Sequence, residues 1–175
     1  MIEADDEIIA YFIDNVINLE YQCINGRLIH CVIKHCTFNI IKHLIDKGID
    51  IECQSSTKMR PIHFIMKYAD DIEVIKYFVS RGVNIESETK NGWRPIHMVC
   101  LYGTMEEIKY FLSLNPILNS KIVYNLDDQN VICGPTELII LNDMLSPTDK
   151  VEIITMLIST KHYDEHIKIV DLLIN

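Results

Sequence analysis

The 175-residue sequence lacks the features that mark most membrane proteins and nucleic-acid-binding proteins. Lys and Arg number 16 against 25 acidic residues, which gives a net charge of −9, and the basic residues form no cluster. A basic footprint for nucleic acid or for an anionic membrane surface is therefore absent. The sequence also has no long apolar run and no basic segment followed by one, so we expect no signal peptide and no membrane-spanning helix.

Enzyme motifs are missing as well. The sequence contains no Gly-x-Gly-x-x-Gly, Walker loop, His-Glu-x-x-His or Gly-x-Ser-x-Gly pattern. We therefore expect no catalysis, no cofactor and no metal. One alternative remains open, a Cys/His enzyme or metal site, because Cys31 and His35 are four residues apart on a predicted helix and His43 follows on the next. The absence of any Cys-x-x-Cys pair disfavours it.

The six cysteines bear on the compartment rather than on covalent cross-links. Without a secretory signal they are expected to be reduced thiols, since disulfides persist mainly in oxidising compartments. We expect a cytoplasmic protein, with the nucleus as the alternative.

What the sequence does contain is an internal repeat. Arg60-Pro61-Ile62-His63 recurs at a spacing of 34 as Arg94-Pro95-Ile96-His97, and Arg27-Leu28-Ile29-His30 precedes the first copy by 33. Two copies close alike, with Lys47-Gly48-Ile49-Asp50-Ile51-Glu52 and Arg81-Gly82-Val83-Asn84-Ile85-Glu86. Apolar residues between these motifs recur at helical spacing, which predicts a pair of helices in each unit.

This pattern resembles the ankyrin repeat. Pro-Ile-His is similar to the family's Thr-Pro-Leu-His signature, and Gly-Val-Asn-Ile to its Gly-Ala-Asp-Val. The resemblance implies an all-α solenoid of stacked helix-turn-helix units joined by hairpin-like turns. It predicts a single domain over residues 1–175, with a partial repeat at 5–24, clear repeats at 25–53, 54–87 and 88–116, a loop-like insertion at 117–134, and a degenerate repeat with a C-terminal cap at 135–175. An amphipathic helix is expected near 167–174.

Several repeated positions are expected to serve the fold rather than chemistry. They are His30, Pro61, His63, Pro95, His97, Gly48 and Gly82. Proline suits the first turn of a helix, where its missing N–H is not needed, and glycine suits the left-handed position just past a helix end. The resemblance implies that the histidines hydrogen-bond to backbone groups between units.

The resemblance also assigns residues to the projecting turns and the concave face, where a protein partner is expected to bind. The partner-binding candidates are Met59, Arg60, Lys67, Tyr68, Trp93, Arg94, Leu101 and Tyr102. Trp, Tyr and Met are enriched at interface cores, and Trp, Tyr and Arg at binding hot spots. For Trp93 and Leu101 the alternative is burial in the core under the C-terminal extension.

The arginines depart from the family pattern, which usually has Thr before the Pro. Arg27, Arg60 and Arg94 stand at that position and cannot accept a hydrogen bond from the backbone, a loss of about 1 kcal/mol at a helix N-cap. They are available to a neighbouring carboxylate or to a partner with an acidic segment.

The sequence therefore predicts a non-catalytic protein–protein interaction module that acts as a monomer. A second interpretation makes it a regulatory or targeting segment of a larger multidomain protein or adaptor, because partial repeats stand at both ends. In that interpretation the recognised surface is used within the same chain.

Overall fold

The computed structural model describes residues 2–16, 18–23, 26–69, 71–126 and 128–159. The chain divides into two compact units, Met1–Pro95 and Ile96–Asn175. The first unit contains α1 (Ile2–Asn15), β1 (Gln22–Cys23), β2 (Gly26–Arg27), α2 (Leu28–His35), α3 (Phe38–Asp46), α4 (Pro61–Tyr68) and α5 (Ile72–Ser80). The second contains α6 (Pro95–Tyr102, from the boundary onward), α7 (Met105–Ser113), β3 (Ile122–Leu126), β4 (Gln129–Cys133), α8 (Pro135–Leu141) and α9 (Pro147–Ser159).

The prediction of an all-α ankyrin-repeat solenoid is wrong. Helices alternate with two separate two-stranded antiparallel sheets, β1–β2 and β3–β4, so the described chain is a mixed helix and strand fold. The error came from the segment 117–134, which has no helical periodicity and was therefore expected to be a loop-like insertion. It contains a β-hairpin instead.

The β3–β4 hairpin joins two short segments that contain β-branched and aromatic residues. Ile122 pairs with Cys133, Tyr124 with Val131, and Leu126 with Gln129. Branched and aromatic residues such as Ile122, Val123, Tyr124, Val131 and Ile132 favour the extended conformation of a strand. Only the base of this hairpin is buried, at Ile122 and Cys133.

The repeat spacing predicts helix pairs near 27–35 and 38–46, near 60–68 and 71–80, and near 94–102 and 105–114. The observed helices agree with these bounds to within one residue at each end. Pro61 and Pro95 begin α4 and α6. Gly48 and Gly82 follow α3 and α5 with φ of 90° and 79°, the left-handed region that glycine enters without strain. Short-range sequence chemistry therefore places these helix ends.

In the first unit, the helices pack in two rows. The first helices of neighbouring repeats, α2 and α4, pack on each other, and the second helices pack in the order α1, α3, α5. Each repeat also packs its own pair, α2 on α3 and α4 on α5. The largest fully buried side chains here are Ile29, Ile40, Leu44, Ile62, Ile65, Ile75 and Phe78.

In the second unit, α9 packs against α7 and α8. Buried apolar side chains from all three helices form this core, among them Ile108, Phe111, Leu138, Ile139, Ile153 and Leu157. Asn142, just after α8, is fully buried, and its side-chain amide donates to the carbonyls of Cys100 at 3.0 Å and Gly103 at 2.8 Å. This polar contact ties the end of α6 to the end of α8.

Two further expectations from the sequence concern the C-terminal segment and membrane-spanning helices. The amphipathic helix expected near 167–174 lies outside the described residues. Among the helices that the structure does describe, none has the length and apolarity needed to cross a membrane.

Candidate functional site

The repeated histidines link each repeat to the following one. The backbone N–H of Arg27 donates to His30 Nδ1 at 3.1 Å, and His30 Nε2 lies 3.2 Å from the carbonyl of Met59. In the next repeat, the N–H of Arg60 donates to His63 Nδ1 at 3.1 Å. Because each Nδ1 accepts, the proton of the neutral ring lies on Nε2 and is donated to the following turn.

His63 has the fullest set of partners. Its Nε2 faces the carbonyls of Ser87 at 3.1 Å and Trp93 at 3.2 Å, and its side chain is fully buried. Burial lowers the pKa of His63 and of His30 below the ordinary value, because a charged imidazolium loses hydration there. Both rings are therefore neutral at physiological pH and bonded to the backbone. In the second unit, His97 Nε2 lies 3.2 Å from the carbonyl of Ser120.

The turn residues Met59 and Trp93 are held by their backbone groups. The N–H of Met59 donates to Ser55 Oγ at 3.1 Å, and that of Trp93 to Thr89 Oγ1 at 3.1 Å. The carbonyls of the same two residues accept from the N–H groups of Ser55 and Thr89 at 2.9 Å. Each turn is thus a closed hydrogen-bonded loop, and the side chains of Met59 and Trp93 are half-buried.

The arginines of the repeat are paired with carboxylates of their own turn. Arg60 forms an ion pair with Glu52. Arg94 contacts Glu86 at 3.1 Å and Glu88 at 2.7 Å. These guanidinium groups therefore already have carboxylate partners within the fold.

Two further basic residues lie beside an aromatic ring on the paired helices α2 and α4. Lys34 Nζ lies 5.5 Å from the ring centroid of Tyr68, and Lys67 Nζ lies 5.3 Å from the same ring. The ring of Phe64 is 6.0 Å from that of Tyr68, one helical turn away. Both lysines are exposed, and both rings are half-buried. We call these four residues the Tyr68 surface.

The remaining two candidates lie in the second unit, on α6. Leu101 has only 6% of its side chain exposed, which places it in the core, one of the two alternatives that the sequence left open. Tyr102 is half-buried. Leu101 is therefore not retained as a contact residue.

The sequence analysis missed a set of polar contacts along the second helices. His43 lies on α3, and Lys47 directly follows that helix. Both side chains contact Asp14 of α1, each at 2.8 Å. Their hydrogen bonds hold the pKa of Asp14 below its ordinary value, the bond from Lys47 having the larger effect. The cation just before Gly48 was visible in the sequence as part of the closing motif, but its partner was not.

The same arrangement recurs one repeat later. Tyr77 Oη donates to Asp46 Oδ1 at 2.5 Å, and Arg81 forms an ion pair with the same oxygen. Lys42 contacts the other oxygen of Asp46 at 2.7 Å. The hydrogen bonds from Lys42 and Tyr77 lower the pKa of Asp46 to about 2. A carboxylate on one second helix thus receives donors from the next, which makes the contact a property of the repeat.

Burial disfavours the thiolate at several of the described cysteines. Cys36, Cys53, Cys100 and Cys133 are free thiols. Burial raises the pKa of the Cys36 thiol, and it raises that of Cys53 to about 11 and that of Cys100 further. In the part of the chain that the structure describes, no three His, Cys, Asp or Glu side chains converge as metal ligands.

Comparison with models of known protein families gives no match, and comparison with curated protein sequences gives none either. The resemblance to ankyrin repeats therefore stays a prediction that rests on the recurring residues and their spacing.

Proposed function

We propose that this protein is a non-catalytic binding module for a protein partner, that its three repeated units are of the ankyrin type, and that it acts as a monomer in the cytoplasm. The observation that carries the proposal is the Tyr68 surface. It combines two exposed lysines with two half-buried aromatic rings on a pair of packed helices. Aromatic side chains beside charged groups are typical of binding hot spots.

The platform under this surface is preformed. His30 joins the start of α2 to the turn before α4, and the ring of Phe64 packs edge-on against the His30 ring with centroids 4.8 Å apart. The aromatic part of the surface is thereby anchored to the buried hydrogen-bond network. A partner that binds here orders little of the protein, so less of the interaction free energy is lost on binding.

The chemistry of the surface favours an acidic segment on the partner. Lys34 and Lys67 place two ammonium groups beside one aromatic ring in a molecule whose net charge is −9. A carboxylate-bearing peptide gains from both ammonium groups, and its apolar residues gain from the rings of Phe64 and Tyr68. Trp93, on a neighbouring turn of the same unit, is a second candidate anchor.

The thiol chemistry supports a binding role over cysteine catalysis. A catalytic thiol needs a lowered pKa to supply thiolate near neutral pH. The pKa values of Cys36, Cys53 and Cys133 are raised instead, in each case mainly by burial. The free thiols of Cys36, Cys53, Cys100 and Cys133 also fit a reducing compartment.

Affinity capture with three baits tests this function. The first bait is the unaltered chain, and the second carries Lys34→Glu with Lys67→Glu, which reverses both charges of the Tyr68 surface. The third carries Lys121→Glu, an exposed lysine before β3 in the other unit. A protein captured by the first and third baits and lost with the second supports the proposal, provided that circular dichroism shows all three folded. Equal capture by all three baits contradicts it.

A further inference from the structure

The β3–β4 hairpin leaves a pair of apolar side chains uncovered. Val123 and Ile132 are directly opposite each other in the register, and their side chains are 59% and 67% exposed. They lie on the same face, because residues opposite each other in an antiparallel pair point to one side of the sheet. Two exposed apolar residues alone are ordinary on a protein surface. The backbone at the same positions therefore decides what can bind here.

The register turns backbone groups of these residues towards the edges of the hairpin. Leu126 and Gln129 are paired with two residues between them, and a two-residue turn is closed by a hydrogen-bonded pair. Hydrogen-bonded and non-hydrogen-bonded pairs alternate along an antiparallel ladder. Asn130 and Ile132 of β4 therefore belong to non-hydrogen-bonded pairs. Their N–H and C=O groups point away from β3, to the outer edge of β4.

The outer edge of β4 is open in the part of the chain that the structure describes. β3 and β4 form a sheet of two strands there, so each strand has an outer edge. Among the described residues, no backbone hydrogen bond outside the helices and strands involves Asn130 or Ile132. β4 is exposed from Gln129 to Ile132, and only Cys133 is buried. A further strand therefore has access to this edge.

β4 also lacks the features that normally protect an edge strand. Natural edges carry charged side chains, proline or a bulge, which block the addition of another strand. The sequence of β4, Gln-Asn-Val-Ile-Cys, has no charged residue and no proline, and its five residues pair with β3 without a bulge. The sequence of β3, Ile-Val-Tyr-Asn-Leu, is likewise uncharged. An added strand therefore meets backbone donors and acceptors beside an uncharged, apolar surface.

We propose that the outer edge of β4 binds an extended, uncharged segment of a protein partner, which adds to the hairpin as a third strand. The backbone groups of Asn130 and Ile132 pair with this segment, and one of its apolar side chains lies beside Ile132. Strand addition takes its affinity from main-chain hydrogen bonds and its specificity from alternate side chains. A second copy of the chain is disfavoured as the occupant, because two molecules of net charge −9 repel each other. This surface belongs to the second unit, so the proposal does not depend on the Tyr68 surface.

A pair of model peptides tests this proposal on the full chain. The probe has about seven alternating Thr and Val residues, slightly more than the length of β4, with capped ends and a fluorophore. N-methyl groups on every second residue block one edge of the probe, so that it cannot form sheets with itself. The control peptide has the same side chains and an N-methyl group on every residue, which removes the donors of both edges. Fluorescence anisotropy measures binding.

Two proline variants identify the edge that is occupied. Ile132→Pro removes the outward N–H of β4, and Val123→Pro removes the corresponding N–H of β3. Neither N–H takes part in the bonds between the two strands, and proline is tolerated at such edge positions. Circular dichroism, together with slow alkylation of the buried Cys133 at the base of the hairpin, checks that both variants fold.

The probe is expected to bind the unaltered chain and Val123→Pro alike, and to bind Ile132→Pro at least roughly tenfold more weakly. The control peptide is expected not to bind the unaltered chain, a result that does not depend on the folding of either variant. Equal binding of the two peptides, unchanged binding by Ile132→Pro, loss of binding in Val123→Pro, or no binding of the probe overturns the proposal. A dimer found by sedimentation and abolished by Ile132→Pro also overturns it, because the occupant is then a second copy of the chain.

Discussion

At the starts of α2 and α4, the arginine side chain makes no cap hydrogen bond, and a histidine bonds to the arginine backbone instead. Arg27 and Arg60 cannot accept from the backbone, and the sequence therefore predicted a lost hydrogen bond at each helix start. In the structure, the N–H of each arginine instead donates to Nδ1 of the histidine three residues later. The histidine thus supplies one half of the capping box while its other nitrogen bonds to the next turn.

This double role makes stability depend on pH. The folded-state pKa of His63 lies below its value of about 6.5 in the unfolded chain, so the unfolded state binds more protons between the two. The contribution to the free energy of unfolding is complete above about pH 6.5 and is lost as the pH falls towards the folded-state pKa. The free energy of unfolding, measured in urea, is expected to fall between about pH 7.5 and about pH 5.5. We expect this fall to be smaller for His63→Gln than for the unaltered chain. Identical losses would show that His63 does not titrate on unfolding.

A lysine in the left-handed conformation marks a position that can be improved. Lys58 has φ of 59°, and the equivalent residue one repeat later is Gly92 with φ of 77°. We expect Lys58→Gly to raise the free energy of unfolding by roughly 0.5 kcal/mol. Relief of left-handed strain, roughly 1–2 kcal/mol, exceeds the added backbone entropy cost of glycine, roughly 0.5–1 kcal/mol. Chemical denaturation measures the change in the free energy of unfolding. Gly92→Ala should lower that free energy. A destabilised Lys58→Gly variant would mean that the lysine side chain itself holds the turn.

Two elements could not be predicted from the repeat pattern. They are the β3–β4 hairpin and the segment after α8. β3 and β4 contain β-branched and aromatic residues, and Asp128 between them has φ of 65°, a left-handed conformation typical of tight hairpin turns. The sequence contains these residues, but the segment has no helical periodicity and therefore predicts a loop-like insertion in a chain of helical repeats. The hydrogen bonds of Asn142 have no comparable local signal, since its partners lie 39 and 42 residues away.

Asn142 is expected to be the most sensitive polar position of the second unit. Replacing it with alanine leaves two buried carbonyls without the donors that they have now, and Met144 loses the acceptor that its N–H contacts at 2.8 Å. We expect Asn142→Ala to lower the free energy of unfolding by about 3 kcal/mol. The control is Asn130→Ala on the exposed hairpin, which should change it by less than about 0.5 kcal/mol. Equal effects in urea unfolding would contradict this role.

Each of the two units has its own core and contains a buried cysteine. Labelling of that cysteine reports on the opening of its unit. Cys53 lies in the first unit at 5% exposure, and Cys133 lies in the second at 2%. Neither thiol can react with a labelling reagent until its surroundings open. In a chain built from successive units, a local loss of stability is felt most strongly in the unit that carries it.

We therefore expect a crossed result from two variants. The measured quantity is the urea concentration at which each cysteine becomes labelled. His63→Ala should lower this concentration more for Cys53 than for Cys133. Asn142→Ala should lower it more for Cys133 than for Cys53. Pulsed alkylation followed by peptide mass spectrometry separates the two cysteines. Equal shifts of both cysteines in both variants would show that the two units unfold in one cooperative step.

The short-range pattern of the chain decided the helices of the repeat and their ends. Pro61 and Pro95 begin helices, Gly48 and Gly82 end them, and the apolar spacing sets the buried face, because each of these effects acts within a turn or two of backbone. The repeated histidines were also identified from spacing alone.

Tertiary structure decided what those residues contact. It turned Arg60 and Arg94 towards their own glutamates, placed Leu101 in the core, and brought Lys34 and Lys67 to one tyrosine ring. It also left Ile8 and Phe12 exposed at positions that are buried one repeat later. Burial and pairing of this kind depend on residues tens of positions away, so the same local pattern is a core in one repeat and an open surface in another.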